Sequence, residues 1–201
     1  MPDSAPIRVL LAEDDPETRD LYASLLTAHG HQVVADVGSG RDAVARAREL
    51  TPDVVVLDIH MPEATGVEAA RQIATALPAT AVILVTGDQT VSLSDQDVLE
   101  THAVTLLPKP TPPSLLDGAL RLAAARGRAL AQARHEAADA RQALEDRKVI
   151  ERAKGILMHR AGISEQEAYR MLQRRSQDRS TPMVEIARAV ISSDPSAPAL
   201  K

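Results

Sequence analysis

Four short apolar runs of this chain end on residues that can do chemistry. Ile7–Ala12 runs into Glu13-Asp14-Asp15, Asp53–Leu57 into Asp58, Ala81–Val85 into Thr86-Gly87, and Ala103–Leu107 into Pro108-Lys109-Pro110. Short apolar runs rich in β-branched residues are how strands buried on both faces read. In an open parallel sheet, ligands collect beyond the carboxyl ends of the strands. Glu13, Asp14 and Asp58 would converge there, and neighbouring carboxylates raise one another's pKa unless positive charge joins them. A hard divalent cation is the usual remedy, and Mg²⁺ takes one or two carboxylates together with a phosphate. Thr86 adds a hydroxyl and Lys109 an ammonium, and Lys109-Pro110 admits a cis bond that would aim the side chain inward. Together these groups describe a phosphoryl acceptor, in which Asp58 attacks while the metal and Lys109 neutralise the equatorial oxygens. A metal-binding or merely solvated acidic loop is the alternative. It accounts for the acids but not for Thr86 and Lys109.

The elements that must position these residues alternate. Strands over 7–12, 32–36, 53–58, 81–85 and 103–107 are separated by helices from Pro16 to Gly30, over Gly40–Leu50 and over Val67–Leu77. Between Gly87 and His102 the apolar pattern weakens to a loop and a short helix capped by Ser94. Strand–helix alternation implies a parallel sheet covered on both sides, an α/β doubly wound fold. From Pro112 the composition turns to Ala, Leu, Arg, Glu and Gln, and one long helical stretch is expected. Leu116, Ala123, Leu130, Ala137 and Leu144 recur every seven residues, with Ala119, Ala133 and Ala140 between them. This is an Ala-rich coiled-coil seam with Gly127 inside it. A solvated helix lying on its own domain is the other reading. Gly162 suits a helix C-terminus, Ser164 and Glu167 a capping box, and Thr181-Pro182 the start of a last helix over Met183–Ser192.

Composition bounds the rest. The 201 residues are 44% hydrophobic but contain no Phe, Trp or Cys, and the aromatic residues are Tyr22 and Tyr169. Disulfide and thiol chemistry are therefore excluded, which fits a reducing, cytoplasmic setting. Neither a signal peptide nor a membrane-spanning helix is expected. Residues 1–120 carry 7 Lys/Arg against 18 Asp/Glu, whereas residues 141–193 carry 11 against 7. An acidic first part and a basic last part imply two jobs, the second with a polyanion.

The motifs VLLAEDD, VVVLDIHMPEATG, ILVTG and LLPKP, in this order, make residues 7–125 similar to the receiver domain of two-component response regulators. The resemblance implies a five-stranded flavodoxin-like sheet and phosphorylation at Asp58, with a sensor histidine kinase or a small acyl phosphate as donor. It also implies Mg²⁺ held by Asp14, Asp58 and the backbone carbonyl of His60, with Glu13 acting through water, Thr86 as switch hydroxyl and Lys109 as phosphate partner. Enzymatic activity would be confined to self-phosphorylation and slow hydrolysis. Leu106 stands where receivers commonly carry an aromatic switch residue.

In the last part, Ile150, Ala153, Leu157 and Ala161 line one helical face, and Ala168, Leu172, Ala187, Val190 and Ile191 give two further helices their inward faces. Lys148, Arg152, Lys154, His159, Arg170, Arg174, Arg175 and Arg179 are placed outside. Tyr169 is read as half core and half surface, able to stack on an unpaired base. Gly155 is unfavourable within a helix by about 1 kcal/mol relative to Ala, so something must approach its backbone; helix packing or an RNA backbone would serve. The residues Ala153-Lys154-Gly155, Leu157-Met158, Arg160, Gly162, Glu167-Ala168-Tyr169, Leu172 and Glu185-Ile186-Ala187 resemble the ANTAR domain, an RNA-binding antitermination module. The organisation expected is a disordered start (1–6), a receiver (7–120), a helical linker (121–143), a three-helix ANTAR domain (144–193) and a disordered tail (194–201). The function implied is phosphorylation-controlled binding of hairpin RNA by a homodimer joined through the linker. A DNA-binding regulator and a protein-interaction module are the alternatives.

Overall fold

The computed structural model describes residues 6–88 and 90–193. The expectations for the two termini fall outside these, save for Pro6. Five parallel strands, β1 (Arg8–Ala12), β2 (Gln32–Val37), β3 (Val54–Asp58), β4 (Ala81–Thr86) and β5 (Ala103–Pro108), form one sheet in the order β2-β1-β3-β4-β5. Between them run α1 (Pro16–Ala28), α2 (Gly40–Leu50), α3 (Gly66–Ala76) and α4 (Asp95–Thr101). The chain continues through α5 (Pro113–Ala161), α6 (Glu165–Arg179) and α7 (Met183–Ser192). The doubly wound α/β fold and the C-terminal helices are as expected, and the short helix capped by Ser94 is present.

Period-two alternation along the strands feeds two separate cores. Val9, Leu11, Val54, Val56, Ile83 and Val85 pack with Tyr22 and Leu26 of α1 and with Leu116, Ala119, Leu120, Ala123 and Ala124 of α5. Leu10, Val55, Leu57, Val82 and Leu84 pack with Ala43, Val44 and Ala47 of α2 and with Ala69, Ala70 and Ile73 of α3. Every residue of β3 is buried, which is why its sequence shows no polar alternation before Asp58.

The chain divides into two compact units, through Ala133 and from Arg134, and α5 contributes to both. This revises the seam. Leu116, Ala119 and Ala123 place their apolar surface in the first unit's core, so they are not free to meet a partner. Leu130 and Leu144 are 39% and 55% exposed, and Ala133, Ala137 and Ala140 are exposed with them. Gly127 also belongs to the first unit: a Cβ there would lie 2.6 Å from the carbonyl oxygen of Ala79. His31, almost fully buried, ties the start of α5 down through Asp117, Nε2 to Oδ1 at 2.9 Å. In the second unit, Ala153 and Leu157 of α5 pack with Ala168, Leu172, Ile186, Ala187, Val190 and Ile191.

Gly155 lies in the same helix, yet nothing comes within 4 Å of the place its Cβ would occupy. Packing within the chain therefore does not account for it. Gly127→Ala should destabilise the first unit despite a gain of about 1 kcal/mol in helix propensity, while Gly155→Ala should stabilise the second by about that amount. Urea unfolding of both variants decides this, and equal shifts would refute the distinction.

Candidate phosphoacceptor pocket and nucleic-acid interface

The parallel sheet delivers the acidic residues to one edge. Glu13 follows β1, Asp58 is the last residue of β3 and Thr86 the last of β4; all three are buried, whereas Asp14 is exposed. One ligand oxygen each from Glu13, Asp14 and Asp58 lies within 4.8 Å of the others. Lys109 follows β5 after its register places Pro108 beside Thr86, and the Lys109-Pro110 bond is cis. Its Nζ reaches Glu13 Oε2 at 2.5 Å and Asp58 Oδ1 at 3.1 Å. The Lys109 N–H also donates to the carbonyl of Thr86 at 2.7 Å, joining the ends of β4 and β5.

Electrostatics follow from this packing. Burial raises the Glu13 pKa above its ordinary value, helped by the charge of Asp58 and opposed by the Lys109 hydrogen bond. For Lys109, burial works downward, but the hydrogen bonds and charges of Glu13 and Asp58 outweigh it and the pKa is raised. The ammonium therefore stays charged between the two acids.

Close backbone contacts hold the frame. A Cβ on Gly66 would lie 2.1 Å from the Asp58 carbonyl oxygen, so α3 can start this near the pocket only from a glycine. Arg19 donates from Nη1 to the Glu13 carbonyl at 2.7 Å, fixing the loop that carries the acid pair. Sequence reading missed Arg19, six residues from Glu13, because no local spacing rule links a residue of α1 to a carbonyl ahead of the helix. The Thr86 hydroxyl oxygen accepts the Asp88 N–H at 3.1 Å. His60 lies exposed in the bend after β3. Leu106 is half-buried and packs against the core that contains Leu84 and Ile73. It is part of the apolar layer.

In the second unit the basic residues separate by helical row. Lys148, Arg152, Gly155 and His159 are spaced by four, three and four residues and form one stripe along α5. Arg170 and Arg174, one turn apart, lie on the outward side of α6. Arg175 and Arg179 instead continue the spacing of buried Ala168 and Leu172 and emerge exposed toward the helix end. Tyr169 is 44% exposed.

Lys154 departs from the outward placement expected of it. Its side chain is 8% exposed, and its Nζ binds both oxygens of Glu151 at 2.9 and 2.8 Å and Oε1 of Glu165 at 2.6 Å. These hydrogen bonds raise the Lys154 pKa and lower that of Glu165. The ammonium is a structural link between α5 and α6. Glu151 is legible as its i−3 partner, but Glu165 lies across the helix joint and no local rule finds it.

Residues 9–121 match the family described as Response regulator receiver domain, and residues 138–191 match that described as ANTAR domain. The chain is a response regulator with an ANTAR output domain. This regulator is 35% identical over 192 residues to the transcriptional regulatory protein PdtaR of Mycobacterium tuberculosis, covering 94% of the present chain and 91% of that relative. Its receiver is similar to the response regulator domain of Thermotoga maritima CheB, at 30% identity and a TM-score of 0.52, over 59% of the regulator and 96% of that domain. The receiver domain of the Pseudomonas aeruginosa sensor histidine kinase PA1611, which holds a magnesium ion in its active-site cleft, shares the fold. It is 24% identical at a TM-score of 0.53, over 60% of the regulator and 99% of that domain. No helix among the regulator's described residues is long and apolar enough to cross a membrane.

Because Lys154 is enclosed by two carboxylates, Lys154→Ala leaves them facing one another and should lower the melting temperature of the output domain. Arg174→Ala, at an exposed position, should not. Thermal melts of both variants read the difference, and equal melting temperatures would return Lys154 to the surface set.

Proposed function

We propose that Asp58 accepts a phosphoryl group and that its phosphorylation governs an RNA-binding antitermination module. The observation that carries the first half is the placement of Lys109 against both Glu13 and Asp58. That arrangement puts a fixed cation where an acyl phosphate would develop negative charge. The donor set, three carboxylates and no nitrogen or sulfur, suits a hard cation such as Mg²⁺. Asp14, Asp58 and the His60 carbonyl would hold it, with Glu13 acting through water. When bound, Mg²⁺ supplies charge neutralisation at the phosphoryl oxygens. The carboxylate of Asp58 attacks phosphorus in line with the leaving group, and Lys109 neutralises an equatorial oxygen. The Thr86 hydroxyl, which donates to the Asp88 carbonyl at 3.5 Å, must turn its proton away to meet the new phosphate. A sensor histidine kinase is the expected donor.

The exposed half of the α5 seam, Leu130 to Leu144, is proposed as the homodimer contact within the cytoplasm. With acetyl phosphate and Mg²⁺, the wild type should gain one phosphate and Asp58→Ala none. In sedimentation of the same samples, Leu130→Glu with Leu144→Glu should remain monomeric where the wild type pairs. Full labelling of Asp58→Ala would remove the acceptor assignment, and an unchanged oligomer would remove the seam.

For the output domain, the carrying observation is the stripe Lys148, Arg152, Gly155 and His159, with open space above Gly155. A helix that gives up propensity at one exposed position, flanked by cations, suits close approach of a phosphodiester backbone. Arg170, Arg174, Arg175 and Arg179 add charge on α6, and Tyr169 offers a ring to an unstacked base. Double-helical RNA hides its base edges in a narrow groove, so such a module reads sequence in hairpin loops. A bound hairpin then keeps a terminator stem from forming, and transcription reads through.

Each phosphate contact to single-stranded RNA steepens the log-affinity against log-salt slope by about 0.7, so about five contacts give a slope near −3.5. Arg152→Ala with Arg170→Ala and Arg174→Ala should flatten the slope, and Gly155→Ala should weaken hairpin binding while stabilising the fold. Filter binding across a salt series, with duplex DNA as competitor, measures this. A triple variant with the wild-type slope, or tighter binding to the duplex, would defeat the RNA reading.

A further inference from the structure

Beside the Lys154 ion pairs lies a notch of about 470 Å³, lined by Lys154, Glu165, Gln166, Tyr169, Arg170 and Gln173. This volume falls within the range of small-ligand seats. Its electrostatics differ from those of the surrounding basic surface. The Lys154 ammonium is already shared by Glu151 and Glu165, so one positive charge meets two negative ones at this wall. With Arg170 at the rim the charges balance, so the notch lacks the excess of positive charge that the basic rows offer a phosphodiester. Glu165 uses Oε1 for Lys154, and its Oε2 makes no hydrogen bond among the described residues.

The remaining lining is suited to something flat and polar at its edge. Tyr169 is 44% exposed and offers a ring face. Gln166 and Gln173 each present an amide that both donates and accepts. Carboxylates accept hydrogen bonds from exocyclic amines of bases, as from N4 of cytosine. Uracil has no exocyclic amine, and its single pairing-edge donor, N3–H, lies between two carbonyl oxygens that repel a carboxylate, so it is held less well.

We propose that this notch seats one unstacked RNA base bearing an exocyclic amino group, its ring on Tyr169 and its amine on Glu165. Gln166 and Gln173 meet the rest of its edge, and Arg170 at the rim takes the adjoining phosphate. The proposal rests on the RNA reading of the output domain and adds to it the class of base selected. Affinity then comes from the basic rows and sequence preference from the notch, so the two separate by mutation.

The test uses the full-length protein and hairpins that share one stem and carry a randomised loop. After selection, each loop position is replaced in turn by uridine and by an abasic residue. One position should retain adenine, cytosine or guanine, and uridine there should weaken binding about tenfold, within the discrimination expected of a base-edge contact. Glu165→Gln should abolish that discrimination without changing the salt slope. Gln173→Ala, which leaves the Lys154 ion pairs intact, should reduce it, and circular dichroism checks the fold of both. A selected loop with no such position, or discrimination unchanged in both variants, overturns the notch while hairpin binding stands. Absence of hairpin binding by the wild type at low salt overturns the RNA reading, and the notch with it.

Discussion

Two buried carboxylates, Glu13 and Asp58, share the ammonium of Lys109, and the receiver is arranged around that shared charge. At about 4 Å, two like charges repel by about 4 kcal/mol in a medium of effective dielectric near 20. A site that brings carboxylates this close must supply a cation or leave one acid protonated. Burial chiefly, with the Asp58 charge adding to it, raises the pKa of Glu13, and the hydrogen bonds and charges of the two acids raise that of Lys109. Each contributor comes from the end of a different strand, so the balance depends on sheet order. Placing β1 beside β3, with β4 and β5 following, sets the acid pair opposite the lysine.

The same requirement explains the constraints nearby. Gly66 lets α3 start against the Asp58 carbonyl, and Arg19 holds the carbonyl of Glu13. With Lys109 tied to the Thr86 carbonyl, little around the pocket is left to local preference.

The output domain solves an opposite electrostatic problem. It gathers cations, and it keeps one of them, Lys154, out of that field by enclosing it between two acids. The result is a surface in two parts, with basic rows along α5 and α6 beside a wall where acids offset the cations. Two glycines of α5 divide similarly. Gly127 is required by the chain's own backbone at Ala79, whereas Gly155 faces open space.

Much of this was legible in the sequence because it is governed by short-range rules. Buried parallel strands read as unbroken apolar runs, caps as Ser or Thr with an acid three residues on, and chemistry as the residue that ends each run. Sheet topology then brings Glu13, Asp14, Asp58, Thr86 and Lys109 together, so the receiver's candidate site could be named from strand ends alone. The errors lie where sequence period underdetermines the partner. Leu116, Ala119 and Ala123 keep a heptad spacing, but a helix packed on a sheet and a helix in a coiled coil bury the same positions. Only the fold assigned those residues to the receiver's own core. Lys154 carried a surface residue's composition, and only the approach of Glu165 across the helix joint buried it. Local pattern determines which residues form an element and which end of it can react. Contacts between residues distant in the chain decide which charges are neutralised and which remain for a partner.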